Sequence, residues 1–145
     1  MEDLMWMSGG IWQQAAAMLA VGLLFGGMTL FSAGFAAILF VSLPVDDARR
    51  VIRRAFPPFY VWVVLTSAVA GILLWSIDRF SAWLMLAVAI STIPNRQILM
   101  PAINAASDAG DKGGFARLHG LSVVITLIHI LASAVVLVRL GRHAI

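Results

Sequence analysis

Four long apolar stretches, separated by short polar breaks, dominate this sequence. They run over about residues 14–43, 59–77, 80–106 and 119–140. An α-helix needs about 20 apolar residues to cross the ~30 Å hydrocarbon core of a bilayer, and each stretch is about that long or longer. The chain is 61% hydrophobic and only 12% charged, which is far more apolar than a soluble domain. The sequence therefore predicts an all-α fold, a membrane four-helix bundle formed by residues 1–145 as a single transmembrane domain.

The residue types that this chain lacks narrow its chemistry. It has no cysteine, which excludes disulfides, thiolate metal ligands and cysteine nucleophiles. No Walker loop, dinucleotide fingerprint or nucleophile motif occurs, so the sequence gives no support for catalysis. No Asp or Glu lies within the four stretches, which argues against a proton-coupled carboxylate transporter. Lipid is the expected partner, and a nucleic-acid partner is not expected.

Lysine and arginine are divided unevenly between the two ends of the predicted bundle. One end carries Arg49, Arg50, Arg53, Arg54, Lys112 and Arg117, and the other carries Arg79, Arg139 and Arg142. Because cytoplasmic loops are enriched in positive residues, this bias predicts a bacterial inner-membrane protein with both termini outside the cytoplasm. Glu2 and Asp3 stand where a signal peptide would be basic, so the first stretch is expected to be an uncleaved span. Met5, Trp6 and Trp12 are then expected at the membrane interface.

The segment between the first two stretches is amphipathic. Pro44 ends the first stretch, and Asp46 or Asp47 can cap a new helix. On a helical wheel four arginines fall within about 140° of arc, opposite an apolar face. The arginines are Arg49, Arg50, Arg53 and Arg54, and the apolar face comprises Val45, Val51, Ile52, Ala55 and Phe56. This pattern predicts a short interfacial helix between spans one and two, with its arginines over anionic headgroups. Its role is topological anchoring or, alternatively, lipid recognition or regulation.

Polar residues in the last two stretches point to a pocket between the third and fourth helices. In the fourth, one stripe about 80° wide contains His119, Ser122, Thr126, His129 and Ser133. In the third, Asn95 and Arg96 follow Pro94, whose ring frees a backbone carbonyl and kinks the helix. The candidate ligand-binding residues are Asn95, Arg96, His119, Ser122 and His129.

His129 is the candidate metal ligand, because an ionisable residue at mid-membrane marks a ligand, metal or proton site. His119 is about 15 Å away along the same helix, so the two histidines cannot bind one metal ion together. Haem is a candidate cofactor that would need His129 and a second axial group, such as Met18, Met28 or Met85. The alternative for all these polar residues is packing, in which Ser and Thr join helices at about 0.6 kcal/mol per contact.

Glycines in the first stretch allow close helix approach. Gly22 and Gly26 have the spacing of a small-xxx-small motif, and Gly27 follows directly. Packing within the bundle and dimerisation both explain these residues.

Four short motifs occur in an order that is familiar from one family. They are FSAGFAAILFVSLP at residues 31–44, AFPPFY at 55–60, Asn95 with Pro101, and FARLHGLS at 115–122. Over about residues 27–137 the chain resembles the transmembrane protein 205-like family, and the Phe-x-x-x-His-Gly-x-Ser element is the most specific part. The resemblance implies a four-span membrane protein of undefined activity, with eukaryotic members linked to platinum-drug tolerance and secretion. It also implies a layout similar to four-helix proteins of copper handling and haem metabolism. It places His119, Ser122 and Asn95 on motif positions.

The leading hypothesis from the sequence is a non-enzymatic inner-membrane protein. Its polar pocket between helices three and four would bind a small ligand, a metal or haem. One alternative is a structural accessory subunit of a larger membrane complex, or a homo-oligomer, which docks through the glycine-rich first helix. A small-molecule exporter is the other alternative.

Overall fold

The computed structural model of the chain describes the backbone of residues 2–143 and the side chains of residues 10–142. In chain order the elements are α1 (Glu2–Thr29), a π-helical segment π1 (Leu30–Phe35), α2 (Ala36–Ser42), α3 (Val45–Leu74), α4 (Arg79–Pro94), a second π-helical segment π2 (Asn95–Leu99), α5 (Met100–Asp108) and α6 (Lys112–His143). No strand occurs between residues 2 and 143. The side chains of Met5 and Trp6 lie outside the described residues, and Trp12 is exposed.

These elements form four long antiparallel helices. The first consists of α1, π1 and α2, the second of α3, the third of α4, π2 and α5, and the fourth of α6. Each helix packs against its neighbour in the chain, and the first also packs against the fourth, which closes the bundle. The predicted all-α, four-helix fold is confirmed.

Three of these helices are long and apolar enough to cross a bilayer, namely Gly10–Ser42, Val45–Leu74 and Lys112–Arg142. The chain is an integral membrane protein. The third helix, residues 79–108, is less apolar because polar residues dominate from Ser91 to Gln97. That it also crosses the membrane stays a prediction.

The amphipathic segment is helical, but it is not a separate element between the first two spans. It is the beginning of α3, which continues through Pro57 and Pro58 without a break. Proline has no amide hydrogen, so Pro57 and Pro58 cannot donate to the carbonyls four residues earlier. The carbonyls of Arg53 and Arg54 are therefore left without a helical hydrogen bond. Both carbonyls lie close to the polar end of the bundle, where water can satisfy them, so the helix does not have to end.

The cap of α3 also differs from the expected one. Pro44 occupies the N-cap position, and no side chain caps the helix. Asp46 and Asp47 instead lie in the first turn, where they form i,i+3 ion pairs with Arg49 at 3.9 Å and Arg50 at 3.1 Å. The two carboxylates still favour this helix, because they lie at the positive end of its dipole.

The connection between the third and fourth helices is shorter than the sequence indicates. The sequence Ser-Asp-Ala-Gly-Asp-Lys-Gly-Gly over residues 107–114 predicts a flexible loop, but α5 extends to Asp108 and α6 begins at Lys112. Gly110 adopts a left-handed φ of 69°, which glycine tolerates without strain. The Asp111 carboxylate accepts a hydrogen bond from the Gly114 amide at 2.9 Å and so caps α6. Two local capping interactions therefore make this connection a tight turn.

The apolar core occupies one half of the bundle, away from the end that carries Arg49, Arg53 and Lys112. We call the end with these basic residues the basic end. The opposite end, near the apolar core, is called the Asp78 end. The core residues are Ala17, Val21, Leu24, Met28, Val63, Ala70, Leu74, Ala82, Met85, Val88, Val136 and Leu140. Towards the basic end, buried positions are polar more often, as at Thr92, Asn95, Ser122 and His129. The cavities described below lie in this less densely packed half.

At the Asp78 end, polar side chains tie the helices together. Gln13 of the first helix donates to the Leu73 carbonyl at 2.7 Å and contacts the Ser76 hydroxyl at 2.8 Å. The Leu73 carbonyl belongs to the last turn of α3, where carbonyls lack helical partners. Asp78 caps α4 and pairs with Arg139 of the fourth helix. This end of the bundle is therefore closed by specific contacts among all four helices.

Candidate functional site

His129 is buried between the third and fourth helices, as the polar stripe predicts. Its Nε2 atom lies 2.8 Å from the Ser91 hydroxyl oxygen. The Ser91 hydroxyl also donates to the Ala87 carbonyl at 2.6 Å. Because a hydroxyl has one proton to donate, the Ser91 oxygen accepts from a protonated Nε2 of His129. The ring thus joins two helices through a hydrogen bond.

The residues around His129 do not fit a metal or haem site. With Nε2 bonded to Ser91, only Nδ1 of the His129 ring keeps a lone pair for a metal ion, which would need further ligands close by. Among the described residues, no three His, Asp or Glu side chains come together in a group that could hold a metal ion. Met28 and Met85, two of the expected axial ligands, are part of the apolar core. No metal or haem is therefore assigned to this chain.

Asn95 and Ser122 are also buried in the bundle interior. Asn95 is the first residue of π2 and is 3% exposed, and its Oδ1 atom has no hydrogen-bond partner within the described part of the chain. Ser122 is 9% exposed, and its carbonyl accepts from the Thr126 hydroxyl at 2.9 Å. A wider π-helical turn puts backbone groups out of register, and such turns are frequent at functional positions.

Arg96 and His119 do not share a pocket mouth. Arg96 donates from Nε to the Pro57 carbonyl at 3.3 Å and lines a depression between the second and third helices. His119 is exposed and lies on the cavity described next, whose lining does not include Arg96. The five predicted residues are thus distributed over the interior and two separate surfaces.

A cavity of about 470 Å³ opens at the basic end of the bundle. Its walls come from the first helix, the arginine-bearing start of α3, α5 and the start of α6. The apolar lining residues are Ala36, Phe40, Ile52, Phe56, Ile103, Phe115 and Val123. The polar lining residues are Ser32, Arg49, Arg53, Asn104, Ser107 and His119. Its volume and mixed lining are those of a small-molecule site, mostly apolar with a few polar groups.

The π1 segment shapes the cavity wall on the first helix. It brings Ser32 to the cavity, where the buried Oγ atom has no partner among the described residues. A buried hydroxyl without a partner costs about 1–3 kcal/mol, so a ligand or water that pairs with it is favoured. On the same segment Phe31 stacks on Phe59 at 4.0 Å and packs edge-on against Phe56 at 5.2 Å. Of these three rings Phe56 lines the cavity, and its contact with Phe31 holds it in position.

The opposite wall carries His119, the one predicted ligand-binding residue that lines the cavity. The His119 ring stacks on Phe115, with centroids 5.4 Å apart and planes 7° from parallel. The Phe-x-x-x-His spacing places both side chains on one face of α6, which explains the stack. This wall can therefore offer an apolar surface and a polar ring nitrogen to one ligand.

The mouth of the cavity carries two arginines whose carboxylate partners lie outside the lining. Arg49 and Arg53 line it one helical turn apart, and no acidic residue lines it among the described residues. Two smaller depressions adjoin it, both lined by Arg49 and Ser107 as well. The other two predicted lipid-surface residues are Arg50 and Arg54. Both are exposed, and neither lines this cavity.

An ion pair closes one side of the mouth. The Arg53 guanidinium donates to both Asp108 carboxylate oxygens, at 2.6 and 3.0 Å. These hydrogen bonds hold the pKa of the Asp108 carboxyl below its usual range. The pair joins α3 to the end of α5 beside the cavity.

The three predicted packing glycines differ in their surroundings. A Cβ atom on Gly27 would collide with the Trp62 ring, so this glycine permits close packing of the first and second helices. A Cβ atom on Gly22 or Gly26 would meet nothing within 4 Å. Packing within the bundle therefore explains Gly27 and leaves the other two unexplained.

Sequence reasoning missed most of the cavity lining. Ser32 and Asn104 are isolated polar residues in apolar surroundings, which is a signal in the sequence, whereas Ser107 directly precedes Asp108 in a polar segment. Their common location depends on which helices are neighbours, which a single sequence does not reveal. The amphipathic start of α3 was found, but its apolar face was assigned to lipid rather than to a cavity.

Comparison with known proteins gives a family and no function. The chain belongs to the family described as "Domain of unknown function (DUF4149)", which matches residues 19–112. That range includes the cavity walls on the first helix, α3 and α5, whereas Phe115 and His119 lie beyond it. No curated protein and no solved structure matches the chain.

Proposed function

We propose that this chain is a non-catalytic binding protein of the bacterial inner membrane, which holds one amphipathic small molecule in the cavity at the basic end. The observation that carries the proposal is the cavity itself, about 470 Å³ in volume, with an apolar lining and polar groups at Ser32, Arg49 and His119. A ligand there would bury its apolar part against Phe56 and its neighbours. Its polar part would reach the cationic mouth.

The proposal moves the ligand site suggested by the sequence. His119 remains a binding residue, while Asn95, Ser122 and His129 take the role of interior polar contacts that position the third and fourth helices. Arg96 is assigned to helix packing through the Pro57 carbonyl. We also propose that the basic end faces the cytoplasm and both termini face away from it, on the distribution of Lys and Arg. The likeness to the transmembrane protein 205-like family is part of the proposal and supports the same four-span layout.

The test is chemical analysis of the purified protein with a matched pair of variants. Ala36 lines the cavity and Ala37 is exposed on the same helix, so a tryptophan at each position adds the same bulk in different places. Solvent extraction and mass spectrometry should find a stoichiometric amphiphile in the wild type and in Ala37→Trp. Ala36→Trp should lose it while keeping its helical content and thermal unfolding temperature.

Two outcomes would contradict the proposal. In one, the wild type releases nothing beyond the lipids found in empty micelles. In the other, a folded Ala36→Trp retains the amphiphile as well as the wild type does. If Ala36→Trp fails to fold, Ser32→Ala provides the second variant, because it removes the hydroxyl that has no partner among the described residues without adding bulk.

A second candidate function is supported by Gly22 and Gly26. Since a Cβ atom on either glycine would meet nothing in the bundle, this face of the first helix can accept a further transmembrane helix. The chain would then be an accessory subunit or a homo-oligomer. Native mass measurement in a mild detergent distinguishes these states, and Gly22→Leu should reduce any association.

A further inference from the structure

We propose that the ligand of this cavity is an anionic phospholipid, whose phosphate binds Arg49 and Arg53 while part of an acyl chain enters the apolar interior. The inference depends on the proposed function and adds the chemical class of the ligand. It is carried by the charge of the mouth, the geometry of the arginines and their place at the end of the bundle.

The charge of the mouth selects an anion. Arg49 is paired only with Asp46, at 3.9 Å, and both side chains are exposed. An exposed pair at that distance contributes little because water screens it, so Arg49 behaves as an available cation. Arg53 is the second cation, and none of the described lining residues of the cavity is acidic. The carboxylates that pair with these arginines, Asp46 and Asp108, are both exposed and lie outside the cavity lining, so a ligand that brings its own negative charge can take their place.

The geometry of the two arginines suits a phosphate. Arg49 and Arg53 are four residues apart on α3, so their side chains leave the same face of the helix. The guanidinium fork of Arg53 already binds a planar carboxylate through two parallel hydrogen bonds. The same fork binds phosphate oxygens in two-point fashion. Asp108 therefore occupies the position that a phosphate oxygen pair would take.

The Arg53–Asp108 pair can be exchanged at a small cost. Its side chains are 35% and 64% exposed, and ion pairs of that exposure contribute little because water screens them. A phosphate that contacts both arginines replaces one ion pair with two. Asp108 then returns to water at the end of α5. Ligand binding thus releases Asp108 from Arg53.

The position of the mouth and the depth of the lining favour a lipid over a soluble phosphate. The arginines lie at the end of a transmembrane helix, where phospholipid headgroups are found. Behind them the cavity is lined by Phe40, Ile52, Phe56 and Val123. An inorganic phosphate would leave that apolar surface uncovered, whereas an acyl chain would bury it.

The experiment measures headgroup preference. Full-length protein is delipidated in detergent and offered phosphatidylglycerol or phosphatidylcholine with identical acyl chains, and native mass spectrometry counts the retained lipid. We expect phosphatidylglycerol to be retained about tenfold better, which is the effect expected for one charge-assisted contact. Arg49→Gln should abolish most of this preference. Asp108→Asn should increase retention severalfold, because it frees Arg53.

Controls separate the cavity from the charged surface around it. Arg117 lies at the same end, is exposed and lines none of these depressions, so Arg117→Gln should leave the preference unchanged. Equal losses in Arg49→Gln and Arg54→Gln would indicate a diffuse surface attraction and overturn the inference. Displacement of the lipid by millimolar inorganic phosphate would identify a soluble phosphate as the ligand and overturn it as well.

The result also separates this inference from the proposed function. If both lipids are retained equally and Ala36→Trp removes both, the cavity binds an amphiphile without regard to charge. The proposed function then stands and the anionic class is wrong. If Ala36→Trp removes neither lipid, the retained lipid lies elsewhere and both proposals fail.

Discussion

Arg139 donates hydrogen bonds to both carboxylate oxygens of Asp78, at 2.7 and 3.1 Å, and so fastens the end of the fourth helix to the start of the third. Asp78 simultaneously accepts from the Phe80 and Ser81 amides and caps α4. The Arg139 guanidinium lies 4.8 Å from the Phe80 ring centroid. One largely buried carboxylate therefore performs two structural tasks. This contact stabilises the Asp78 end. At the basic end, by contrast, the Arg53–Asp108 ion pair is exposed.

Replacement of Asp78 by alanine should destabilise the protein strongly. It removes the helix cap, worth about 1 kcal/mol, and the charge-assisted bonds from Arg139, so we expect a total of about 2–4 kcal/mol. Thermal unfolding in detergent measures the effect. Asp46→Ala is the matched control: its carboxylate is exposed, and we expect a change within about 0.5 kcal/mol. Similar losses in the two variants would contradict the assigned role of Asp78.

Acid should weaken the same contact. Hydrogen bonds from Arg139 hold the pKa of the Asp78 carboxyl well below its usual range. A carboxylate whose pKa is lowered in the folded state stabilises it fully above the unfolded value, near 3.9, and loses this effect as pH falls towards the folded value. The stability difference between wild type and Asp78→Asn should thus be constant from pH 7 to 5 and shrink below about pH 4. Unfolding temperatures of the two proteins at pH 6 and pH 3 provide the measurement, and an undiminished difference at pH 3 would contradict it.

The helices were predictable from the sequence, because runs of apolar residues are a local signal. The cavity was not predictable, since it depends on which helices are neighbours in the bundle. Apolar length alone indicated four helices, and the wheel positions of His129 and Ser133 placed them in the interior. Helix ends were less accurate: Pro57 and Pro58 suggested a boundary that α3 passes through. The two π segments have no sequence rule that predicts them, although π2 begins directly after Pro94.

Glycine shows the same division between local and tertiary information. The small-xxx-small spacing drew attention to Gly22 and Gly26, yet the close approaches occur at Gly27 and Gly71. A Cβ atom on Gly71 would meet the Leu86 side chain and the Ala82 carbonyl. Spacing identifies a smooth helix face, but only the neighbouring helix decides which glycine needs to be small.

Gly27→Ala should destabilise the bundle, and Gly26→Ala should not. The added methyl group at Gly27 would force the Trp62 ring to move, and such overpacking costs about 1–3 kcal/mol. At Gly26 the methyl group meets nothing, so alanine is neutral or stabilising by up to about 1 kcal/mol. Unfolding temperatures of the two variants in one detergent make the comparison. A loss at Gly26 equal to that at Gly27 would show that Gly26 also faces a partner helix.

Membrane orientation can be measured directly because the chain has no natural cysteine. Ser76→Cys places a thiol at the Asp78 end, and Ala109→Cys places one in the turn at the basic end. If the basic end faces the cytoplasm, a membrane-impermeant maleimide should label only Ser76→Cys in intact spheroplasts. Both should react after permeabilisation, which controls for accessibility. Labelling of Ala109→Cys alone in intact spheroplasts would reverse the proposed orientation.

The Ser91–His129 contact should behave as a coupled pair. Ser91→Ala leaves a protonated imidazole nitrogen without a partner in the bundle, which costs about 1–2 kcal/mol. His129→Leu removes the polar ring, and in that background Ser91→Ala should cost much less, because the Ser91 hydroxyl is left only with the Ala87 carbonyl. A double-mutant cycle on unfolding free energies should therefore give a coupling of about 0.5–1.7 kcal/mol. Additive single-variant effects would mean that the hydrogen bond contributes nothing. In that case the ring would be free to serve a ligand, contrary to the packing role assigned to it.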